Sequence, residues 1–186
     1  MDATLAKVMA LYQPFFEALA NQECAEYCLA LLEKYRVLCA IKQGQYGAVA
    51  INNWLQQQLP QQSDASSAVY HGQPVMVIKN DYQQQLFNGD TGIILRQQEQ
   101  YWAYFSTVKG IQRLAIDDLP PVETAFATTI HKSQGSEFES IVTILPADIS
   151  PILSRQLLYT ALTRAKAGFD LSATEAVLRH TILTHQ

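Results

Sequence analysis

Five consecutive apolar residues, Val37-Leu38-Cys39-Ala40-Ile41, are followed at once by a change of period. A run that short and unbroken suits a strand covered on both faces, since a strand with one wet face alternates polar and apolar residues. Gly44 and Gly47 then lead into Ala48, Ile51, Leu55 and Leu59, which recur on one helical face. Strand, glycine-bearing turn and helix in that order make half of a parallel α/β unit. The same texture returns late in the chain. Strands are expected near Ala125–Thr129, Ile141–Leu145 and Phe169–Ser172, with a helix over Leu153–Lys166 and another at the end.

Between these stretches the pattern is different. Val75–Ile78, Ile93–Arg96, Tyr101–Phe105 and Ile111–Ile116 are short β-like runs, parted in places by Asn88-Gly89-Asp90 and Lys109-Gly110. Four strands with no helix between them predict a small antiparallel barrel or meander. Residues 60–68, rich in Gln and Ser, read as a linker before it, and Pro120-Pro121 closes it. The expected organisation is therefore a discontinuous α/β domain, 1–68 and 121–186, carrying a β insert at 69–120. A length of 186 residues holds one such domain and no more.

Upstream, Leu5, Val8, Met9 and Tyr12 recur at helical spacing, and Pro14 is expected to open a second short helix ending at Leu19. Cys24, Cys28, Leu31 and Tyr35 form a further stripe, with Asn21 as its candidate cap. Three cysteines are an odd count, and Cys24 and Cys28 have no further ligand near them, so core packing is the simpler reading. The first twenty residues include Asp2, Lys7, Pro14 and Glu17 and form neither a signal peptide nor a membrane span. A cytoplasmic setting is the expectation.

Composition excludes some functions. Acidic residues exceed basic ones, giving a net charge of −4, which argues against nucleic-acid binding by bulk electrostatics. No G-x-x-x-x-G-K-S/T loop and no G-x-G-x-x-G is present, so the chain shows no means of its own to hold a nucleoside triphosphate. Gly44-Gln45-Tyr46-Gly47 is covered by a strand-to-helix turn. A G-x-S-x-G nucleophile elbow is also missing.

Two segments remain chemically dense. Thr128 to Phe138 brings hydroxyls, His131, Lys132, Gln134 and Glu137 into one inter-strand connection. Such a loop suits a phosphate backbone or nucleotide edge; a helix cap by Thr129 or Ser133, with His131 on the surface, accounts for it equally well. The second, Leu157 to Lys166, is an apolar helical stripe ending in Thr163, Arg164 and Lys166. Arg164 either complements the helix dipole or binds phosphate with its planar fork, and spacing leaves both open.

Together these segments resemble the late motifs of superfamily-one DNA helicases of the RecD branch, which includes the alpha chain of exodeoxyribonuclease V. Thr129–Phe138 is similar to motif five and Leu158–Lys166 to motif six. Val37–Lys42 with Gly44, Tyr46-Gly47 and Asn52 is similar to motif four. Asn80-Asp81-Tyr82 with Phe87–Gly92 resembles the signature of the family's inserted SH3-like barrel.

The resemblance implies a second RecA-like motor domain, without its own Walker A loop, interrupted by that barrel. It implies that Arg164 is an arginine finger reaching ATP on another motor domain, and that Gly135 and Glu137 approach the nucleotide. Lys42, where the family carries Arg, is expected to supply a second cation to the γ-phosphate. Thr129, His131 and Ser133, with Tyr159 and Thr160, are expected to line the single-stranded DNA track. Asn80, Asn88 and Asp90 are expected to shape the barrel edge that meets DNA. ATP and Mg2+ are expected to be held mainly by an N-terminal motor domain outside these residues. The implied partners are single-stranded DNA, that N-terminal half, and the beta and gamma subunits of a RecBCD-type complex, with no membrane. A stand-alone RecD-like helicase and a non-motor DNA-binding or docking module are the competing readings.

Overall fold

The computed structural model describes residues 2–59 and 68–184, so the expected linker lies outside it except for Ala68. Helix α1 (Asp2–Ala20) runs unbroken through Pro14, where two helices were expected. Val8, Tyr12, Phe15 and Leu19 follow at spacings of three and four and are all buried, so one continuous apolar stripe outweighs the bond that Pro14 cannot donate. Asn21 does not cap the next helix: its N–H donates to the Glu17 carbonyl as α1 ends. Gln22 then turns left-handed (φ 56°), and the N–H of Glu23 reaches back to the Ala18 carbonyl at 3.0 Å. This pair of features is a Schellman stop without glycine. Helix α2 (Ala25–Lys34) starts only after it. Its Cys28 is buried, and burial pushes the thiol pKa up to about 11.

Strand β1 (Tyr35–Cys39) and helix α3 (Ala48–Gln58) form the expected β-turn-α unit. Strands β2 (Gln73–Val77), β3 (Thr91–Gln97), β4 (Gln100–Thr107) and β5 (Gly110–Ala115) follow, then β6 (Val122–Thr124) and β7 (Ala127–Thr129). Strand β8 (Phe138–Ile144), helix α4 (Arg155–Leu162), strand β9 (Ala165–Ser172) and helix α5 (Glu175–Leu183) complete the order. Among the described residues no helix is long and apolar enough to cross a membrane.

The described residues form two compact units. The first takes in 2–13, 34–55 and 127–184. It holds a parallel sheet in the order β7-β1-β8-β9. Val37, Leu38 and Cys39 of β1 are wholly buried between β7 and β8, as the unbroken apolar run predicts, and the Cys39 thiol is pushed up to about 12 by that burial. On one side, Leu38, Ile141, Leu153, Leu157, Ala161 and Val177 pack into a single cluster. Each buried Leu, Ile or Val side chain among them contributes about 1.5–3 kcal/mol.

One expectation is corrected in this unit. Helix α4 stops at Leu162, so Arg164 lies beyond it and Lys166 lies on β9. The reason is a tertiary pairing: the Phe138 N–H donates to the Arg164 carbonyl at 2.8 Å, and Phe138 registers with Ala165. The strand expected near Ala125–Thr129 is β7, and a further strand that was not expected, β6, precedes it. Strand β7 joins β1, whereas β6 pairs antiparallel with β2, whose free edge would otherwise leave buried amides unmatched.

The second unit takes in 14–33, 56–59 and 68–126, a wider span than the expected 69–120 insert. Its five strands form an antiparallel sheet in the order β5-β4-β3-β2-β6. Strands β2 to β5 are the expected meander, and β6 extends it past Pro121. Val75, Ile94, Ala103 and Phe105 fill one face.

Gly92 on β3 sits opposite Phe105. A Cβ there would lie 2.6 Å from both the Phe105 ring and the Tyr104 carbonyl oxygen. Gly92→Ala is expected to destabilise the protein by about 1–3 kcal/mol through this overpacking, read as a lower urea midpoint. An unchanged or raised midpoint, the usual result of Gly→Ala on an open strand, would refute the close approach.

Candidate functional site

Both dense polar segments belong to the first unit. Strand β7 ends at Thr129, and the buried Ile130 anchors the exit, its N–H donating to the Cys39 carbonyl at 3.0 Å. Residues His131–Ser133 then form one 3-10 turn. Its inner residue, Ser133, is buried, and its hydroxyl donates to the Ile130 carbonyl at 2.7 Å. Ser133 therefore holds the turn together and does not line a surface track, contrary to expectation. His131 is exposed and Thr129 is half-buried.

The connection continues through Gly135, whose φ of 88° favours glycine, and no atom lies within 4 Å of where its Cβ would be. Beyond it, Ser136 and Glu137 meet the segment that leaves α4. The Ser154 hydroxyl caps α4, accepting from the Leu157 N–H at 3.2 Å. Tyr159 on this helix is 64% exposed. Thr160 is partly buried, and its hydroxyl donates back to the Gln156 carbonyl at 2.9 Å, so its side chain is already engaged.

Arg164 is held on three sides. Its Nε donates to the Thr160 carbonyl at 3.2 Å, Nη1 to the Ser136 carbonyl at 3.1 Å, and Nη2 to the Thr163 hydroxyl at 3.2 Å. The Thr163 hydroxyl in turn donates to the Thr160 carbonyl at 3.0 Å. Three directional contacts fix the plane of a fork that would otherwise swing freely, and a fixed planar fork matches phosphate oxygens. Nearby, Lys166 Nζ lies 3.7 Å from Glu137 Oε2, with both side chains more than half exposed. Water screens such a pair, which contributes little to stability.

The structure thus brings Gly135, Glu137 and Arg164 together at the start of β8 and β9. It does not bring Lys42 to them. Lys42 follows β1, and β1 runs parallel to β8 with Cys39 beside Ile144, so Lys42 leaves the sheet at its opposite end. The seven residues of β8 separate the two ends by roughly 20 Å. The pairing of Lys42 with Arg164 on one phosphate is therefore corrected. Lys42 instead shares its end of the sheet with Thr129 and the His131 turn, because β1 and β7 are adjacent and parallel.

Asn80 and Asn88 lie in the second unit. The Asn80 side-chain oxygen accepts from the Asn88 N–H at 2.8 Å, and Asp90 accepts from the Phe87 N–H at 2.7 Å. Both residues shape the β2–β3 connection.

Two important residues were given no role by sequence reading. Thr163 orients Arg164, and its only local signal is a hydroxyl beside a cation. Asn52 is buried on α3 and clasps β7: its Nδ2 donates to the Ala127 carbonyl at 2.9 Å, and its Oδ1 accepts from the Ala127 N–H at 2.8 Å. An amide amid Ala48, Ile51 and Leu55 was the available sign. Among the described residues no group of three or more His, Cys, Asp or Glu could hold a metal ion.

Residues 124–169 match the model of the UvrD-like helicase C-terminal domain, a span that contains the whole Arg164 cluster. The chain is 37% identical over 160 residues to the RecBCD enzyme subunit RecD of Mycobacterium tuberculosis, covering 85% of this chain and 28% of that protein. It is 36% identical over 98 residues to the ATP-dependent RecD2 DNA helicase of Deinococcus radiodurans, covering 53% of this chain and 14% of that protein. Among solved structures, Pif1 helicase from Candida albicans is similar with a TM-score of 0.56 at 15% identity, covering 83% of this chain and 48% of that one. Pif1 from Bacteroides, in complex with ADP-AlF3 and ssDNA, gives a TM-score of 0.52 at 20% identity, covering 88% of this chain and 49% of that one. These two likenesses concern the fold, which is that of a helicase α/β domain. With 85% of its residues matched to the Mycobacterium tuberculosis protein and only 28% of that protein's length spanned, the chain is a C-terminal relative of the RecD-type superfamily-one DNA helicases.

Proposed function

We propose that this chain is the C-terminal part of an ATP-dependent 5′→3′ DNA helicase, working as the alpha subunit of exodeoxyribonuclease V in DNA-end processing. The parallel-sheet unit is a second RecA-like motor domain without a Walker A loop, and the antiparallel sheet belongs to an inserted SH3-like barrel. Arg164 is the arginine finger, with Gly135 and Glu137 beside the nucleotide. The observation that carries this reading is the three-point seat of Arg164 against the Ser136, Thr160 and Thr163 oxygens. A cation oriented before substrate arrives stabilises charge on a transferring phosphoryl group without reorganisation.

The residues present fit one side of a triphosphate. They supply a fork and an open glycine backbone, and in this reading ATP and Mg2+ are held mainly by another motor domain. Single-stranded DNA runs past Thr129, His131 and Tyr159, to which Lys42 is added at the same sheet end as the first two. The RecD-subunit reading is favoured over a stand-alone helicase because the match to the Mycobacterium tuberculosis subunit covers 85% of the chain, against 53% for RecD2. Its partners are then the N-terminal half of the protein and the beta and gamma subunits of a RecBCD-type complex in the cytoplasm.

The test is direct. The 186-residue chain alone is expected to show no DNA-stimulated ATP hydrolysis, while the full-length protein hydrolyses ATP when single-stranded DNA is added. Appreciable turnover by the isolated chain, measured as released phosphate, would sink the proposal.

A further inference from the structure

Two cations are gathered by consecutive residues of one connection in the first unit. Arg164 Nη1 donates to the Ser136 carbonyl at 3.1 Å, and Lys166 Nζ lies 3.7 Å from Glu137 Oε2. Immediately before them stands Gly135, with φ 88° and open space where a Cβ would project. Arg164 comes just ahead of β9 and Lys166 is the second residue of that strand, so about 7 Å of chain separates their backbones. Strand register brings the same groups together: Phe138, which follows Glu137, lies opposite Ala165, which stands between the two cations. Lys42, the cation expected here, leaves the sheet at its other end.

The two are held in different ways. The Arg164 guanidinium donates from all three of its nitrogens, which fixes its plane. The Lys166 pair is longer than a hydrogen bond, and its side chains are 56% and 60% exposed, so water screens it and little keeps the ammonium at the carboxylate. Lys7 shows the contrast within the same unit, its Nζ donating to Asp170 Oδ1 at 2.7 Å. A flexible four-carbon stem lets Lys166 change partners without moving β9. A phosphate chain carries several negative charges and attracts an ammonium more strongly than one carboxylate does. Glu137 alone would repel such a chain, and the neighbouring ammonium offsets that repulsion. A lysine that only guarded the β9 edge against strand pairing would need no carboxylate beside it.

We infer that Lys166 is a second nucleotide-binding cation, which exchanges Glu137 for the phosphate chain of ATP. This rests on the reading of Arg164 as the residue that faces the nucleotide, and it gives the two cations separate tasks. A point charge on a flexible stem binds ground state and transition state alike and so sets affinity, whereas the fixed fork of Arg164 acts on the rate of the chemical step.

The test measures the Kd of a fluorescent, non-hydrolysable ATP analogue on the full-length protein, alongside kcat for DNA-stimulated hydrolysis. Lys166→Met keeps the stem and removes the charge. It is expected to raise that Kd roughly 10-fold and to leave kcat at saturating ATP within about 3-fold of wild type. Lys166→Arg, which keeps the charge, should bind within about 3-fold of wild type. Both side chains of the pair are more than half exposed, so the melting temperature should not move. Whatever Glu137→Gln does by itself, adding Lys166→Met to it should again raise the Kd roughly 10-fold, because the contact is with phosphate and not through Glu137. A Kd unchanged by Lys166→Met, or a rise that disappears in the Glu137→Gln background, overturns this inference alone as long as Arg164→Ala still lowers kcat. If Lys166→Met leaves the Kd and Arg164→Ala leaves kcat unchanged, the nucleotide-facing reading of this end of the sheet falls as well.

Discussion

Arg164→Ala in the full-length protein is expected to lower kcat for DNA-stimulated ATP hydrolysis by about 10³-fold or more, with the Kd for single-stranded DNA within a few-fold of wild type. The asymmetry follows from position. Arg164 lies at the start of β8 and β9, whereas Thr129 and His131 leave the sheet at its other end. Removing a group that stabilises only the transferring phosphoryl lowers kcat and kcat/KM together. The substitution leaves the Ser136 and Thr160 carbonyls without the guanidinium, but Ser136 is exposed, so water replaces the lost donor and the fold is little affected. Steady-state phosphate release and anisotropy with labelled DNA, run on the same preparation, decide the matter. Unchanged turnover would remove Arg164 from the chemistry, and a matching loss of DNA affinity would move it to the DNA track.

Asn52→Ala carries the second large effect, on stability. Strand β7 is an edge strand of only three residues, and its outward Ala127 N–H and C=O are both met by one side-chain amide. Asn52 thus acts as a fragment of a missing neighbouring strand. Removing it strands two buried backbone groups, at a cost of about 2–4 kcal/mol. For a chain of this size that lowers the midpoint of thermal unfolding by roughly 5–15 °C. Asn52→Asp should not restore it, since a carboxylate accepts from the N–H but faces the Ala127 carbonyl with like charge. A melting curve that is unmoved by Asn52→Ala would show that solvent already satisfies this edge.

Much of the architecture was legible because burial writes itself into local spacing. Val37–Ile41 reads as a doubly covered strand, and Val37 to Cys39 are wholly buried. Ala48, Ile51, Leu55 and Leu59 read as one helical face, and all four are buried. The meander was legible from turn residues between short β-like runs. Where expectation failed, a long-range contact had overridden a local signal. Pro14 signals a helix start, yet the buried stripe on either side of it carries α1 through. Arg164 and Lys166 look like a helix end, yet pairing with Phe138 draws them toward β9.

The candidate site divides along the same line. Residue types alone mark the two polar segments around His131 and Arg164 as chemically dense, while leaving capping and helix-dipole roles equally open. Spacing along the chain says nothing of which end of the sheet each segment occupies. That depends on strand order and on the direction of each crossover, both set by contacts between residues far apart in sequence. The tertiary structure therefore decided that Ser133 is buried, that Lys42 leaves the sheet at the end opposite Arg164, and that Ser136, Thr160 and Thr163 hold the guanidinium plane. The sequence by itself determined which segments carry the clustered polar and cationic side chains; only the parallel sheet, by sending neighbouring connections to opposite ends, decided which of them meet each other.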